Sequence, residues 1–156
     1  MSRHRKIEKR ELQPDIIYND KVVARFIGKM VKQGKKTLAE GIFHKAMAIV
    51  SDKTKKDPLE VFKKAIKNVK PALEVKSRRV GGATYQVPIE VGSDRGQNLA
   101  IGWILTNSTA RKGKPFEEKL AQELMDAFNG TGASIKKRDD THKMAEANKA
   151  FSHFRW

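Results

Sequence analysis

The sequence predicts a mainly α-helical protein: a single helical domain of about six helices, one protruding β-hairpin arm and a basic N-terminal extension. Three observations carry this. Apolar residues recur at three- and four-residue spacing through most of the chain. Helix-start residues such as Asn19-Asp20 and Asp57-Pro58, and stop residues such as Gly34 and Gly130, punctuate those stretches at helix-length intervals. Only around Tyr85–Val91 does the period drop to two, beside the pair Gly81-Gly82.

The first ten positions set Arg3, Arg5, Lys6, Lys9 and Arg10 against Glu8. Such a segment cannot bury apolar surface, so residues 1–12 are expected to form a flexible arm that orders on a partner. Asn19-Asp20 caps a first helix, with Val22, Val23, Phe26, Ile27, Met30 and Val31 as its stripe and Gly34 as its stop. Thr37-Leu38-Ala39-Glu40 has capping-box spacing and opens a second helix. Its inward face is expected to be Leu38, Ile42, Ala46, Ile49 and Val50, ending near Asp52. Asp57 and Pro58 start a third helix, carrying Leu59, Phe62, Ile66 and Val69 and stopping before Pro71.

The hairpin should span about residues 72–91, with Val80, Gly81, Gly82 and Ala83 at its tip and Lys76, Arg78 and Arg79 just before it. Pro88 cannot donate to a ladder and belongs at an edge. Charge on an extended arm has little use in a core; it makes sense where the arm reaches for an anion. Ser93 or Asp94 caps a fourth helix running to about Thr109. With Leu99, Ile101, Trp103, Ile104 and Leu105 on several sides, it is expected to be the most buried. Pro115 opens a fifth helix, with Phe116, Leu120, Leu124, Ala127 and Phe128 inward. Ser134 to Asn148 is a charge-rich helix for the surface. Residues 151–156 form a tail with Phe154 and Trp156.

Lys and Arg number 33 and Asp and Glu 18, a formal charge of +15 over 156 residues. A surplus this large repels itself unless a polyanion neutralises it. Nucleic acid is the leading candidate and an anionic membrane surface the second. With no cysteine, disulfides, thiolate zinc sites and thiol catalysis are excluded. No apolar run approaches the roughly 18 residues of a spanning helix. His4, His44, His142 and His153 show no metal-ligand spacing, so no metal site is expected. Glu117-Glu118 suit a helix's first turn, and Asp139-Asp140 alternate with cations. No phosphate-loop or nucleophile motif is present, so neither a cofactor nor catalysis is expected.

Phosphate contact is expected where cations sit on loops, ends and the protrusion. The candidates are Arg3, Arg5, Lys6, Arg10, Lys35, Lys36, Lys76, Arg78, Arg79, Arg111, Lys112, Lys114, Lys136, Lys137, Arg138, His142 and Lys143. Lys63, Lys64 and Lys67 read equally well as a solvated helix face. Trp103, at helical spacing from Leu99, reads as core. Aromatics are only 7% of the chain, so backbone and shape readout should outweigh base stacking.

Several motifs in order carry a resemblance. Asp20-Lys21-Val22, Phe26-Ile27, Gly34-Lys35-Lys36, Ile42-Phe43 and Ala46 are similar to the signature of small-subunit ribosomal protein seven, bacterial type. Ser77–Pro88, Arg111–Phe116, Lys136–Arg138 and Thr141–Phe151 resemble that family's hairpin and later segments, so the likeness covers essentially the whole chain. The resemblance implies a cytoplasmic, non-enzymatic constituent of the small ribosomal subunit. It implies a primary binder of small-subunit (16S) ribosomal RNA that nucleates assembly of the 3′ major domain, the head. It also implies a place near the exit site, with the hairpin close to transfer RNA and messenger RNA, beside small-subunit proteins nine and eleven. On this reading residues 13–150 are the RNA-binding domain. A DNA-bending architectural protein, an RNA-modifying enzyme and a membrane-surface protein are the rivals. The first lacks an apolar wedge at the arm tip, the second a catalytic constellation, and the third is disfavoured by helix stripes suited to packing on one another.

Overall fold

The computed structural model describes residues 11–154. The expected contacts Arg3, Arg5, Lys6 and Arg10, and Trp156 at the other end, lie outside the described residues. Within them are six α-helices, one two-stranded antiparallel sheet and a short 3-10 helix.

Helix α1 spans Lys21–Met30 and begins on the expected cap: Asp20 Oδ1 accepts from the Val22 and Val23 amides at 2.7 and 3.3 Å. It ends before the expected stop at Gly34: Val31 already leaves helical backbone with ψ of 126°, and Gln33 and Gly34 then turn left-handed, with φ of 54° and 74°. Helix α2, Lys36–Thr54, corrects the sequence reading in two respects. The Thr37–Glu40 capping box does not form: Lys35 holds the cap position without a side-chain bond, and Thr37 is already inside the first turn. The buried face is Ala39, Phe43, Ala46, Met47 and Val50, while Leu38 is 58% exposed. Two apolar stripes overlap on this helix, and the one carrying Phe43 and Met47 removes more apolar surface from water.

Helix α3, Pro58–Val69, starts as its sequence requires, with Asp57 accepting from the Leu59 amide. Phe26, Phe43 and Phe62, one from each of these helices, meet at the centre with ring centroids 5.3–5.4 Å apart. Tilted and edge-on aromatic contacts of this kind add to the burial itself.

Helix α4 runs Ser93–Ala110 from a Gly92 cap, so Ser93 and Asp94 lie in its first turn rather than capping it. Nor is it buried on several sides. Ala100, Ile101 and Ile104 face inward, whereas Leu99, Trp103 and Leu105 are half-buried. Helix α5, Phe116–Phe128, buries Leu120, Ala121, Leu124 and Ala127, with Phe116 and Phe128 packed at the core's margins. Helix α6, Ala133–Ala147, lies across the surface, seated by Ser134, Ile135, Thr141 and Ala145.

The arm is strands β1, Leu73–Val80, and β2, Ala83–Glu90, paired from Leu73↔Glu90 to Val80↔Ala83. Gly81 and Gly82 both take positive φ, 56° and 89°, as the two central residues of a tight hairpin turn whose twist matches the strands. Of the expected tail, residues 151–154 instead belong to a 3-10 helix, Lys149–Phe154. Phe151 and Phe154 pack on Tyr85 with centroids 5.2 and 5.1 Å away. Three aromatic rings thus hold the chain end against β2, a contact that local sequence pattern does not encode.

Candidate nucleic-acid interface

The expected contact residues fall into two regions. The first is one end of the helical bundle. Lys35 caps α2 and is exposed; Lys36 follows it, its Nζ 3.4 Å from Glu40. A groove of about 390 Å³ joins this turn to the α4–α5 connection, since Lys32, Lys35 and Leu38 line it together with Thr109 and Phe116. Lys112 and Lys114 stand exposed in that connection.

Beyond it, one carboxylate ties the loop to α6. Glu123 is fully buried. Its Oε2 accepts from Arg111 Nε at 2.8 Å and from Nη2. Its Oε1 accepts from the Ser134 amide at 3.0 Å and from the Ser134 hydroxyl at 2.6 Å, which binds the first turn of α6. Arg111 also reaches Asp126. Burial alone would lower the Arg111 pKa, but bonds to Asp126 and Glu123 outweigh it and hold it above its ordinary value. The next residues out on α6, Lys136 and Lys137, are exposed. Lys35, Lys36, Lys112, Lys114, Lys136 and Lys137 therefore follow one another along connected elements, and their ammonium groups can meet successive phosphates without disturbing the core.

The second region is the arm. Directly paired residues share a face of a two-stranded ribbon. Lys76 and Arg78 therefore lie on the face of Val87 and Tyr85, which packs toward the body, and Arg79 lies with Thr84 on the other. Sequence reasoning treated these three cations as one cluster; the pleat divides them. The base of the arm is fixed at three points. Arg95 grips Glu74 with two bonds, 2.7 and 2.8 Å, which hold the Glu74 carboxyl below its usual value. The Ala72 carbonyl accepts from the Val91 amide at 2.9 Å. The Ala72 amide donates to His142 Nε2 at 3.0 Å.

Three expected contacts thus have structural employment. His142 Nε2 accepts the Ala72 amide hydrogen bond at the base of the arm. Arg138 bonds Asp139 and the Asn68 carbonyl. Arg111 is committed to Glu123 and Asp126. Lys143 is exposed. Two features were missed. Lys56 and Lys64 both set their ammonium groups over the Phe128 ring, 5.0 and 4.5 Å from its centroid. The buried Glu123 had a signal that went unused: an acid between Leu120 and Leu124 on an apolar stripe implies a buried partner.

Among the described residues, no cluster of three or more His, Cys, Asp or Glu side chains could hold a metal ion. No helix among them is long and apolar enough to cross a membrane.

Residues 2–149 match the family model described as ribosomal protein S7p/S5e. The chain is 56% identical over 154 residues to the small ribosomal subunit protein uS7 of Thermotoga neapolitana, covering 99% of each chain. It is 55% identical over 156 residues to those of Desulfatibacillum aliphaticivorans and Myxococcus xanthus, covering the whole of both. With the helical bundle, the hairpin and the basic end already in view, these matches show that the chain belongs to the ribosomal protein S7p/S5e family, as a non-enzymatic protein of the small ribosomal subunit that serves translation within a ribonucleoprotein.

Proposed function

We propose that this protein is a primary binder of small-subunit (16S) ribosomal RNA and nucleates folding of the 3′ major domain, the head of the cytoplasmic small subunit. One observation carries the reading: exposed lysines lie on the α1–α2 turn, the α4–α5 loop and the start of α6, elements joined by the groove beside Phe116 and by the Glu123 bonds to Arg111 and Ser134. Such an array bridges several RNA helices where they meet. Release of counterions from the neutralised phosphates supplies much of the affinity. Selectivity comes from the junction's shape, since the A-form major groove is too narrow for side chains to read. Lys35, Lys36, Lys112, Lys114, Lys136, Lys137 and Lys143 are the proposed body contacts, with Lys76, Arg78 and Arg79 on the arm and Arg3, Arg5, Lys6 and Arg10 at the N-terminus. Arg111, Arg138 and His142 act mainly by positioning the elements that carry the others.

The arm has a separate role in this proposal: its tip, Val80–Ala83, lies near exit-site transfer RNA and messenger RNA, with proteins nine and eleven of the subunit as neighbours. Replacing Lys35 and Lys36 by Gln should reduce the magnitude of the salt slope of RNA binding by roughly 1 to 2; an unchanged slope removes both from the contact set. Deleting the tip should leave ribosomal RNA binding intact while loosening exit-site control, and equal loss of both argues against separate roles.

A further inference from the structure

Leu38 was expected in the core and is instead 58% exposed, at the mouth of the groove between the α1–α2 turn and the start of α5. The groove's apolar surface comes from Leu38, Ile42, Leu105 and Phe116, its cations from Lys29, Lys32 and Lys35. Among the described residues no carboxylate lines it. At about 390 Å³ it falls within the range of small-molecule sites, roughly 300–1,000 Å³.

We propose that this groove takes an unstacked nucleobase of the ribosomal RNA, with the phosphates on either side held by Lys32 and Lys35. The inference rests on the RNA-binding reading above and deepens it. Charge complementarity selects the occupant. An apolar floor whose charged lining residues are all lysines, with Gln33 and Thr109 beside them, suits a planar, weakly polar ring attached to a polyanion. It does not suit the Arg- and Lys-rich segment of residues 1–10, which the rim would repel. Phe116 offers an aromatic surface, Leu38 and Ile42 aliphatic ones, and single-stranded RNA is commonly held through bases turned out onto such side chains. Lys29 donates to the Asn98 carbonyl at 2.5 Å and so helps to fix α1 against α4. The consequence is a local exception to backbone-only recognition: one position of the RNA would be read by its ring as well as by its phosphates.

The test uses the full-length protein and a transcript of the 3′ major domain. Leu38→Ser changes a side chain already largely in water, so the fold should hold; an unchanged melting temperature confirms that. Loss of one apolar wall should weaken binding roughly three- to tenfold with the salt slope unchanged, because no phosphate contact is lost. Lys32→Gln should weaken binding and flatten the slope. A benzophenone side chain at position 38, photolysed in reconstituted small subunits, should crosslink to one RNA position. Wild-type affinity in Leu38→Ser overturns the base pocket and leaves RNA binding standing. A crosslink to a neighbouring protein also overturns it and makes the groove a peptide site. Failure of the wild-type chain to select the transcript over transfer RNA removes the underlying reading as well.

Discussion

Glu123 has no contact with solvent, yet it sits against Arg111 and the first turn of α6. Removing it takes the acceptor from the Ser134 amide and hydroxyl and leaves the Arg111 guanidinium with Asp126 alone. Glu123→Ala should therefore cost about 3 kcal/mol, seen as a lower urea midpoint, and should reduce protection of the α6 amides first. Asp20 behaves differently because it is partly wet. Burial raises its pKa, but the Lys63 hydrogen bond and the Val22 and Val23 amides outweigh that and leave the carboxyl below its ordinary value. Its stabilising effect is then complete above about pH 4 and is lost as the pH falls through the lowered value. Asp20→Asn keeps an acceptor for the cap but drops the charge, so its acid-unfolding curve should be shallower there than that of the parent chain. The cap itself was legible, since an Asn-Asp pair before an apolar stripe implies one. The Lys63 partner was not, because it lies on α3 and no local pattern links the two.

At the scale of elements, start signals held where a side chain had a definite bond to make and failed where glycine or lysine took the cap. Asp57 and Pro58 began α3 as expected, whereas Thr37 and Ser93 did not cap α2 and α4. On α2 two apolar stripes one position apart compete, and only tertiary packing chooses Phe43 over Leu38. The hairpin was the most legible element: period-two alternation and Gly81-Gly82 specify both register and turn. Gly81→Val with Gly82→Val forces two β-branched residues into left-handed backbone, at about 1–2 kcal/mol each. The expected result is loss of amide protection at the tip with the bundle's protection unchanged. The arm's orientation was not legible, since Tyr85 meets Phe151 and Phe154 across more than sixty residues of sequence. Truncation after Asn148 should leave the bundle's thermal unfolding nearly intact and make the β2 amides exchange faster; unchanged exchange would mean the rings do not brace the arm.

The molecule as a whole joins a charge of +15 to a core that excludes nearly all of it. That balance was readable from composition, as was the class of partner. What composition could not show is adjacency. The basic runs at Lys35, Lys112 and Lys136 are separated by tens of residues in the chain, and the Glu123–Arg111–Ser134 junction and the groove beside Phe116 bring them to one end. In the proposed function this end recognises the shape of one folded RNA junction rather than negative charge in general. The most direct measurement is the affinity of the purified chain for a 3′ major domain transcript across a salt series, with transfer RNA and duplex DNA as competitors. Tight binding that survives both competitors, with a slope reflecting several neutralised phosphates, is the expected result. Binding that either competitor erases as readily as the transcript itself would contradict the claim and leave the surface a general polycation.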